Sequence, residues 1–164
     1  MDSLYSVFRF EGLLRQAIHL LKYNNYRALV PVLAEQVYSF LKIIKMKADA
    51  IIPVPLHPLR IKERGYNQSS LMARQVGKLT GIPVIEGYLL RTVNTMPQVK
   101  TSSREERIKN VQGAFICRKQ EFKGNSVIIF DDVCTTGATL NACATALKEN
   151  LVKSVYGLPL AREI

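Results

Sequence analysis

Apolar positions near the start of the chain recur at helical spacing. Leu13, Leu14, Ala17, Ile18 and Leu21 share one face of a short amphipathic helix, which Tyr23-Asn24-Asn25 closes. Leu29, Leu33, Val37, Phe40, Leu41 and Ile44 set a longer helix over about 28–45, with Pro31 tolerable in a first turn whose N–H groups are orphaned anyway. The period then changes. Ala50-Ile51-Ile52-Pro53-Val54 is an apolar run of strand type, and Pro53 and Pro55 stop it where a ladder would need donors. Helical spacing returns through Leu71, Met72, Val76 and Leu79, with Gly81 as the residue beyond the end. The polar, basic stretch over 94–110 has no strong apolar anchor between Val99 and Ile108 and predicts a mobile loop. Ser103 and Glu106 there are spaced as a capping box for a short helix. After Gly124-Asn125, Val127-Ile128-Ile129-Phe130 reads as a buried strand. A loop follows, then a helix marked by Leu140, Cys143, Ala144 and Leu147, then a closing strand from Ser154 to Leu158.

Repeated strand–loop–helix units predict an α/β fold with a central, mainly parallel sheet flanked by helices. No internal repeat or linker divides the chain. The reading is therefore one domain over 1–164, with a helical layer at 1–48 ahead of a binding core at 49–164.

Composition narrows the function classes. Of the 164 residues, 48% are hydrophobic and 22% charged, which fits a globular chain and argues against disorder. No apolar run reaches the roughly 18 to 20 residues of a spanning helix, and Met1 to Gly12 lacks the order of a secretory signal. A cytoplasmic protein without membrane insertion is expected. Cys117, Cys134 and Cys143, with His19 and His57, supply neither a disulfide framework nor a metal centre built by a protein cluster. The 23 Lys+Arg against 13 Asp+Glu give a formal charge of +10. The excess is uneven: +3 over 1–56, +6 over 57–110 and +1 over 111–164. A basic middle third points to a polyanionic partner, a phosphorylated ligand or nucleic acid, with a solvated basic face as the plain alternative.

The chemistry concentrates in Asp131-Asp132-Val133-Cys134-Thr135-Thr136-Gly137-Ala138-Thr139, between the buried strand and its helix. Small residues, hydroxyls and one glycine let backbone N–H groups converge at a helix N-terminus, where an anion is favoured. Two carboxylates at the carboxyl end of a strand would repel a phosphate unless they contact sugar hydroxyls or a magnesium ion. A phosphorylated sugar meets both demands. The bland alternative is an Asp-rich turn capping a helix, with Thr135 or Thr136 satisfying orphan N–H groups.

The run Phe130 to Thr139 resembles the 5-phosphoribosyl-1-diphosphate (PRPP) loop of type I phosphoribosyltransferases. Lys22-Tyr23, Pro53-Val54-Pro55-Leu56-His57, Arg64-Gly65-Tyr66-Asn67-Gln68, and Arg104, Arg107 and Asn110 ahead of Gly113-Ala114-Phe115 are similar to the ComF family within that fold, from about Tyr5 to Arg162. Members of that family usually carry an N-terminal four-cysteine zinc ribbon; these 164 residues hold none, which fits either a shortened chain or a ribbon-free member.

The resemblance implies a type I phosphoribosyltransferase-like fold, PRPP as ligand with Mg2+, and pentosyl transfer to an unidentified nitrogen acceptor. It also implies a part in DNA uptake during natural competence, with single-stranded DNA or a competence helicase as further partners and self-association as a homodimer left open. It would give Asp131 and Asp132 the ribose hydroxyls, directly or through magnesium. The segment Val133, Cys134, Thr135, Thr136, Gly137, Ala138 and Thr139 would wrap the 5-phosphate. Pro55, Leu56, His57, Arg60 and Arg64 would lie on the pyrophosphate side, and Arg104 and Arg107 on a loop closing over it. Each has a plainer reading. A lone imidazole beside prolines is more often structural than a base; Tyr66, Asn67 and Gln68 either contact a ring or start a helix; Arg104 and Arg107 equally make a solvated basic turn. Two other functions stay open: a non-catalytic PRPP sensor, and a single-strand-binding accessory protein using Tyr66, Tyr88 and Phe115 as stacking groups, rings for which core is the plainer reading.

Overall fold

The computed structural model describes residues 1–94, 104–118 and 125–163. Its main sheet is parallel throughout. β6 (Ser126–Cys134) lies between β3 (Ala50–Pro53) and β7 (Ser154–Arg162), and the short strands β1 (Ser3–Leu4) and β2 (Phe8–Arg9) both add to the far edge of β7. Val84 makes one further parallel bridge to Ile51, so the outer edge of β3 is partly covered. An antiparallel pair, β4 (Leu89–Arg91) and β5 (Phe115–Cys117), stands apart from this sheet.

Alternation along the strands builds two cores. Ile52, Val127 and Ile129 face α6 (Ala138–Glu149), with Leu140, Cys143 and Leu147, and the β4–β5 pair. Ile51, Ile128, Phe130 and Leu158 face the opposite way, onto α1 (Gly12–Tyr23), α2 (Leu29–Ile43) and α4 (Gln68–Thr80). Because both faces are covered, the central strands read as unbroken apolar runs instead of alternating ones. α4 approaches the chain after it closely at Gly77, where a Cβ would fall 2.5 Å from Val84 Cγ2 and 2.9 Å from the Ile82 carbonyl oxygen. Among the described residues no helix is long and apolar enough to cross a membrane.

The expected α/β architecture with its mainly parallel sheet is therefore present, and the helices at 12–23 and 29–43 follow the apolar periodicity closely. Several boundaries differ. β6 runs on to Cys134 where a loop was expected from Asp131, and β7 extends past Leu158 to Arg162, because the two strands keep pairing there: Asp131 opposite Pro159, Val133 opposite Ala161, Cys134 opposite Arg162. The basic loop after β3 contains a helix, α3 (Pro58–Arg64), started by Pro58 and ended by Gly65 at φ 83°. β1 and β2 are too short to carry a pattern, yet they tie the N-terminal segment into the sheet as well as into the helical layer. α5 (Arg104–Val111) forms where a short helix was expected; Ser103 of the capping box and the loop predicted around it lie outside the described residues.

Candidate functional site

β3 and β6 start in register and end differently. Pro53 pairs with Phe130, and the Val54 N–H gives one more bond to the Phe130 carbonyl at 2.9 Å. β3 stops there while β6 continues for four residues, held only by β7 on its other side. Among the described residues no strand pairs with the vacated edge, so a cleft opens at the carboxyl end of the sheet, beside Asp131 and Asp132. That is the place where open parallel sheets receive ligands.

The two carboxylates sit differently. Asp131 is half-buried; its Oδ1 accepts from Ser69 Oγ on α4 at 3.1 Å and from the Asp132 N–H at 2.9 Å. Asp132 is only 3% exposed. Lys22, in the last turn of α1, bonds its Oδ1 at 2.9 Å, while among the described residues its Oδ2 has no partner. Burial, and then the charge of Asp132, push the Asp131 carboxyl up to about 7, against the opposing effect of Lys22 and the two hydrogen bonds. A buried carboxylate oxygen without a donor is costly and calls for one from outside, such as a sugar hydroxyl or a cation. The acidic pair fits either.

Beyond Cys134 the chain turns through Thr135, Thr136 and Gly137 into α6. Gly137 is the N-cap at φ 81°, a conformation that side chains other than glycine rarely adopt. It offers no side-chain cap, and the Ala138 N–H is taken by Thr136 Oγ1 at 3.3 Å. The first-turn N–H groups of Thr139 and Leu140 have no intrahelical acceptor, as in any helix start. A small anion can take them, with the dipole of the 12-residue helix behind. Val133 is half-buried against the α1–α2 side of the core, and Cys134 is buried, its thiol pushed up by burial. Neither presents a reactive side chain to the cleft.

Across the cleft lie Pro55, Leu56 and His57, all half-buried. The His57 Nδ1 accepts the Leu59 N–H at 3.3 Å and so caps α3, which gives the imidazole a structural task. Arg60 and Arg64, one helical turn apart on α3, both line a cavity of about 300 Å³ shared with Lys22. Arg64 Nη1 donates to Gln68 Oε1 at 2.5 Å, and its guanidinium lies 5.2 Å from the Tyr23 ring centre. Asn67 caps α4 by accepting the Ser69 N–H at 3.0 Å, and its Nδ2 donates to the Val54 carbonyl at 2.9 Å. Arg104 and Arg107 belong to α5, and the segment 95–103 before it lies outside the described residues.

The rings weighed as stacking groups follow their plainer reading as core. Tyr66, Tyr88 and Phe115 are 8%, 4% and 5% exposed, and the Tyr66 hydroxyl bonds the Leu21 carbonyl. They serve as core. Among the described residues the exposed tyrosines are Tyr23 and Tyr26.

Three residues near the cleft have no role that the sequence assigns. Lys22 closes an amphipathic helix, and nothing in that helix marks a distant carboxylate as its partner. Ser69 looks like any residue in the first turn of a helix. Arg91, on β4, is half-buried with the charges of Arg60 and Asp131 bearing on it, burial first and then Arg60 lowering its affinity for its proton. It follows an ordinary Leu-Leu run, and its sequence context carries no signal. Among the described residues, no three His, Cys, Asp or Glu side chains gather as a metal cluster.

Comparison with known proteins adds to this geometry. Residues 22–156 match the family described as phosphoribosyl transferase domain. Competence protein F of Haemophilus influenzae is 37% identical over 116 residues, 70% of this chain and 50% of that protein. Competence protein ComFC of Bacillus subtilis is 26% identical over 145 residues, 88% of this chain and 57% of that one. DNA utilization protein YhgH of Salmonella typhi is 27% identical over 168 residues, 99% and 73% of the two chains. The chain thus spans about half the length of the first two relatives. Among solved structures, adenine phosphoribosyltransferase from Leishmania tarentolae aligns with a TM-score of 0.48 at 12% identity, covering 84% of this chain and 58% of that one.

Proposed function

This chain belongs to the phosphoribosyl transferase family, in its ComF branch, and we propose that its cleft binds PRPP with magnesium and transfers the phosphoribosyl group to a nitrogen acceptor. The observation that carries this reading is the pairing of a buried, half-satisfied Asp132 with an uncapped helix start four residues beyond β6. A pentose phosphate needs both: acceptors for its hydroxyls, and N–H donors for its terminal phosphate.

In this reading Asp131 and Asp132 accept the ribose 2- and 3-hydroxyls, and Thr135, Thr136, Gly137, Ala138 and Thr139 hold the 5-phosphate. A magnesium ion arriving with the substrate would be held by the same carboxylates and by pyrophosphate oxygens, and would offset the charge that builds on the leaving group. Arg60, with Arg91 beside it, takes the pyrophosphate as it departs. The acceptor nitrogen's lone pair forms the new bond to the anomeric carbon while the carbon–oxygen bond breaks, its electrons leaving with pyrophosphate. The acidic pair lies close to the sugar that carries transient positive charge, and a proton on the acceptor nitrogen leaves with pyrophosphate, so no general base such as His57 is required.

Calorimetric titration of PRPP with magnesium is the direct check. Saturable heat in the intact protein, lost in the Asp131→Asn, Asp132→Asn double variant, is the expected result. Silence in the intact protein would end this reading.

A part in DNA uptake is the biological setting the relatives' names favour, since they are called competence and DNA utilization proteins. The formal charge of +10 and the exposed Tyr23 and Tyr26 give single-stranded nucleic acid a surface to use. Binding of a single strand should fall steeply as salt rises. A flat salt response would leave that partner without support.

A further inference from the structure

A second concave site abuts the acidic pair. The cavity of about 300 Å³ between the end of α1 and α3 is lined by Lys22, Tyr23, Arg60, Glu63, Arg64 and Tyr66. It lies at the small end of the roughly 300–1,000 Å³ range of small-molecule pockets and suits one or two fused rings. Lys22 joins it to the sugar side of the cleft, because the ammonium that lines the cavity is the one that bonds Asp132 at 2.9 Å.

Tyr66 is buried, with its hydroxyl bonded to the Leu21 carbonyl and the Arg27 guanidinium 4.5 Å from its ring centre, so it closes the inner wall. Tyr23 is 65% exposed, with the His19 ring 4.7 Å from its centre and the Arg64 guanidinium 5.2 Å from it. Gln68 holds Arg64 from behind. With Lys22 paired to Asp132, Arg60 and Arg64 against the single carboxylate of Glu63 leave the lining positive. Of the other hollows, one of about 640 Å³ is reached from Pro55, Leu56 and Arg91, and the Arg74 in its wall is already bound two-fold to Glu86, while one of about 440 Å³ lies beside Thr136 and Ala138.

We propose that the cavity at Tyr23 and Arg64 is the acceptor site, and that it takes a planar nitrogen heterocycle carrying a carboxylate. The ring lies against Tyr23, and the carboxylate meets the guanidinium fork in the two-bond geometry that a neutral nucleobase cannot supply. The transfer step rests on the PRPP reading above; the binding step does not. A pyridine-type nitrogen sheds no proton in forming its bond to the anomeric carbon. A ring N–H gives its proton to the departing pyrophosphate.

The test uses nicotinate and orotate as probes, with adenine and inorganic pyrophosphate as comparators, each titrated into the intact chain with and without PRPP and magnesium. At least one carboxylated ring should bind, and Arg64→Gln should weaken it about tenfold or more. Arg64→Lys, which keeps the charge and loses the fork, should fall between. Tyr23→Leu should weaken the ring severalfold and leave the PRPP titration unchanged. The proposal is overturned if neither carboxylated ring binds, if adenine binds as well as they do, or if pyrophosphate displaces them from the cavity. Should the rings bind with the Arg64 dependence while PRPP gives no heat, the cavity assignment stands and the donor assignment falls.

Discussion

The two passages from strand to helix at the carboxyl edge of the sheet begin side by side and become opposites. β3 ends within a residue of Pro53, in a proline-rich turn whose helix is capped by His57 and carries Arg60, Lys62 and Arg64. β6 continues to Cys134, carries two carboxylates, and enters its helix through Gly137 with no side-chain cap. The difference lies in the neighbours. Prolines remove the donors that would prolong β3, whereas β6 keeps a partner in β7 and is free to run on. One passage is thus closed by its own side chains and the other leaves polar groups unmet. Unmet buried groups mark a ligand site better than charge does.

Four changes would break or sharpen that contrast. The largest effect is expected at the open passage. Replacing both Asp131 and Asp132 by Asn removes the acceptors for the sugar and should lower PRPP affinity by about 100-fold or more, read by calorimetry. An unchanged affinity would mean that the two passages do not divide the ligand as argued.

Next is Gly137→Ala. The added Cβ has room, its nearest neighbour being Cys134 Sγ at 4.0 Å, so the penalty is conformational and comes from φ 81°. A loss of about 1–2 kcal/mol in unfolding free energy is expected, with weaker phosphate binding. A stability equal to that of the parent would show that the turn adapts freely.

The third change is a pH effect. The Asp131 carboxyl is raised to about 7 in the folded chain, so the fold binds its proton more tightly than the unfolded chain does. The stability linked to it is fully present below the unfolded value of about 4 and is lost as pH rises through about 7. Asp131→Asn should therefore melt close to the parent near pH 4 and several degrees above it near pH 8 in the absence of ligand. Asp2 and Asp49, whose hydrogen bonds lower their affinity for protons, slope the other way, but they are common to both proteins and cancel in the difference. A constant gap across the range would contradict the buried-pair electrostatics.

The smallest effect belongs to the closed passage. His57→Ala removes the cap of α3 and should cost about 0.5–1 kcal/mol, with PRPP affinity nearly unchanged. A large loss of turnover with intact binding would instead assign the imidazole to the chemistry.

Much of this arrangement was legible along the chain. The apolar runs at 50–54 and 127–130, the helical faces of α1, α2, α4 and α6, and the glycine-centred turn all follow from period and turn chemistry, which act over a few residues. The reach of β6 past Phe130 was not legible, since Asp-Asp-Val-Cys is poor strand material until β7 lies beside it. For Tyr66, Tyr88 and Phe115 core is the plainer reading of the sequence, and the packing of the β4–β5 pair and α1 bears it out.

The sequence by itself determined which residues make strands and helices and where a phosphate-sized turn stands, because those choices depend on neighbours within a turn or two. Only the tertiary structure decided that Lys22 meets Asp132, that Ser69 meets Asp131, and that Tyr23 and Arg64 enclose a cavity beside them. Those partners are far apart along the chain, and what brings them together is the docking of α1, α3 and α4 on the sheet, a property of the packed core as a whole.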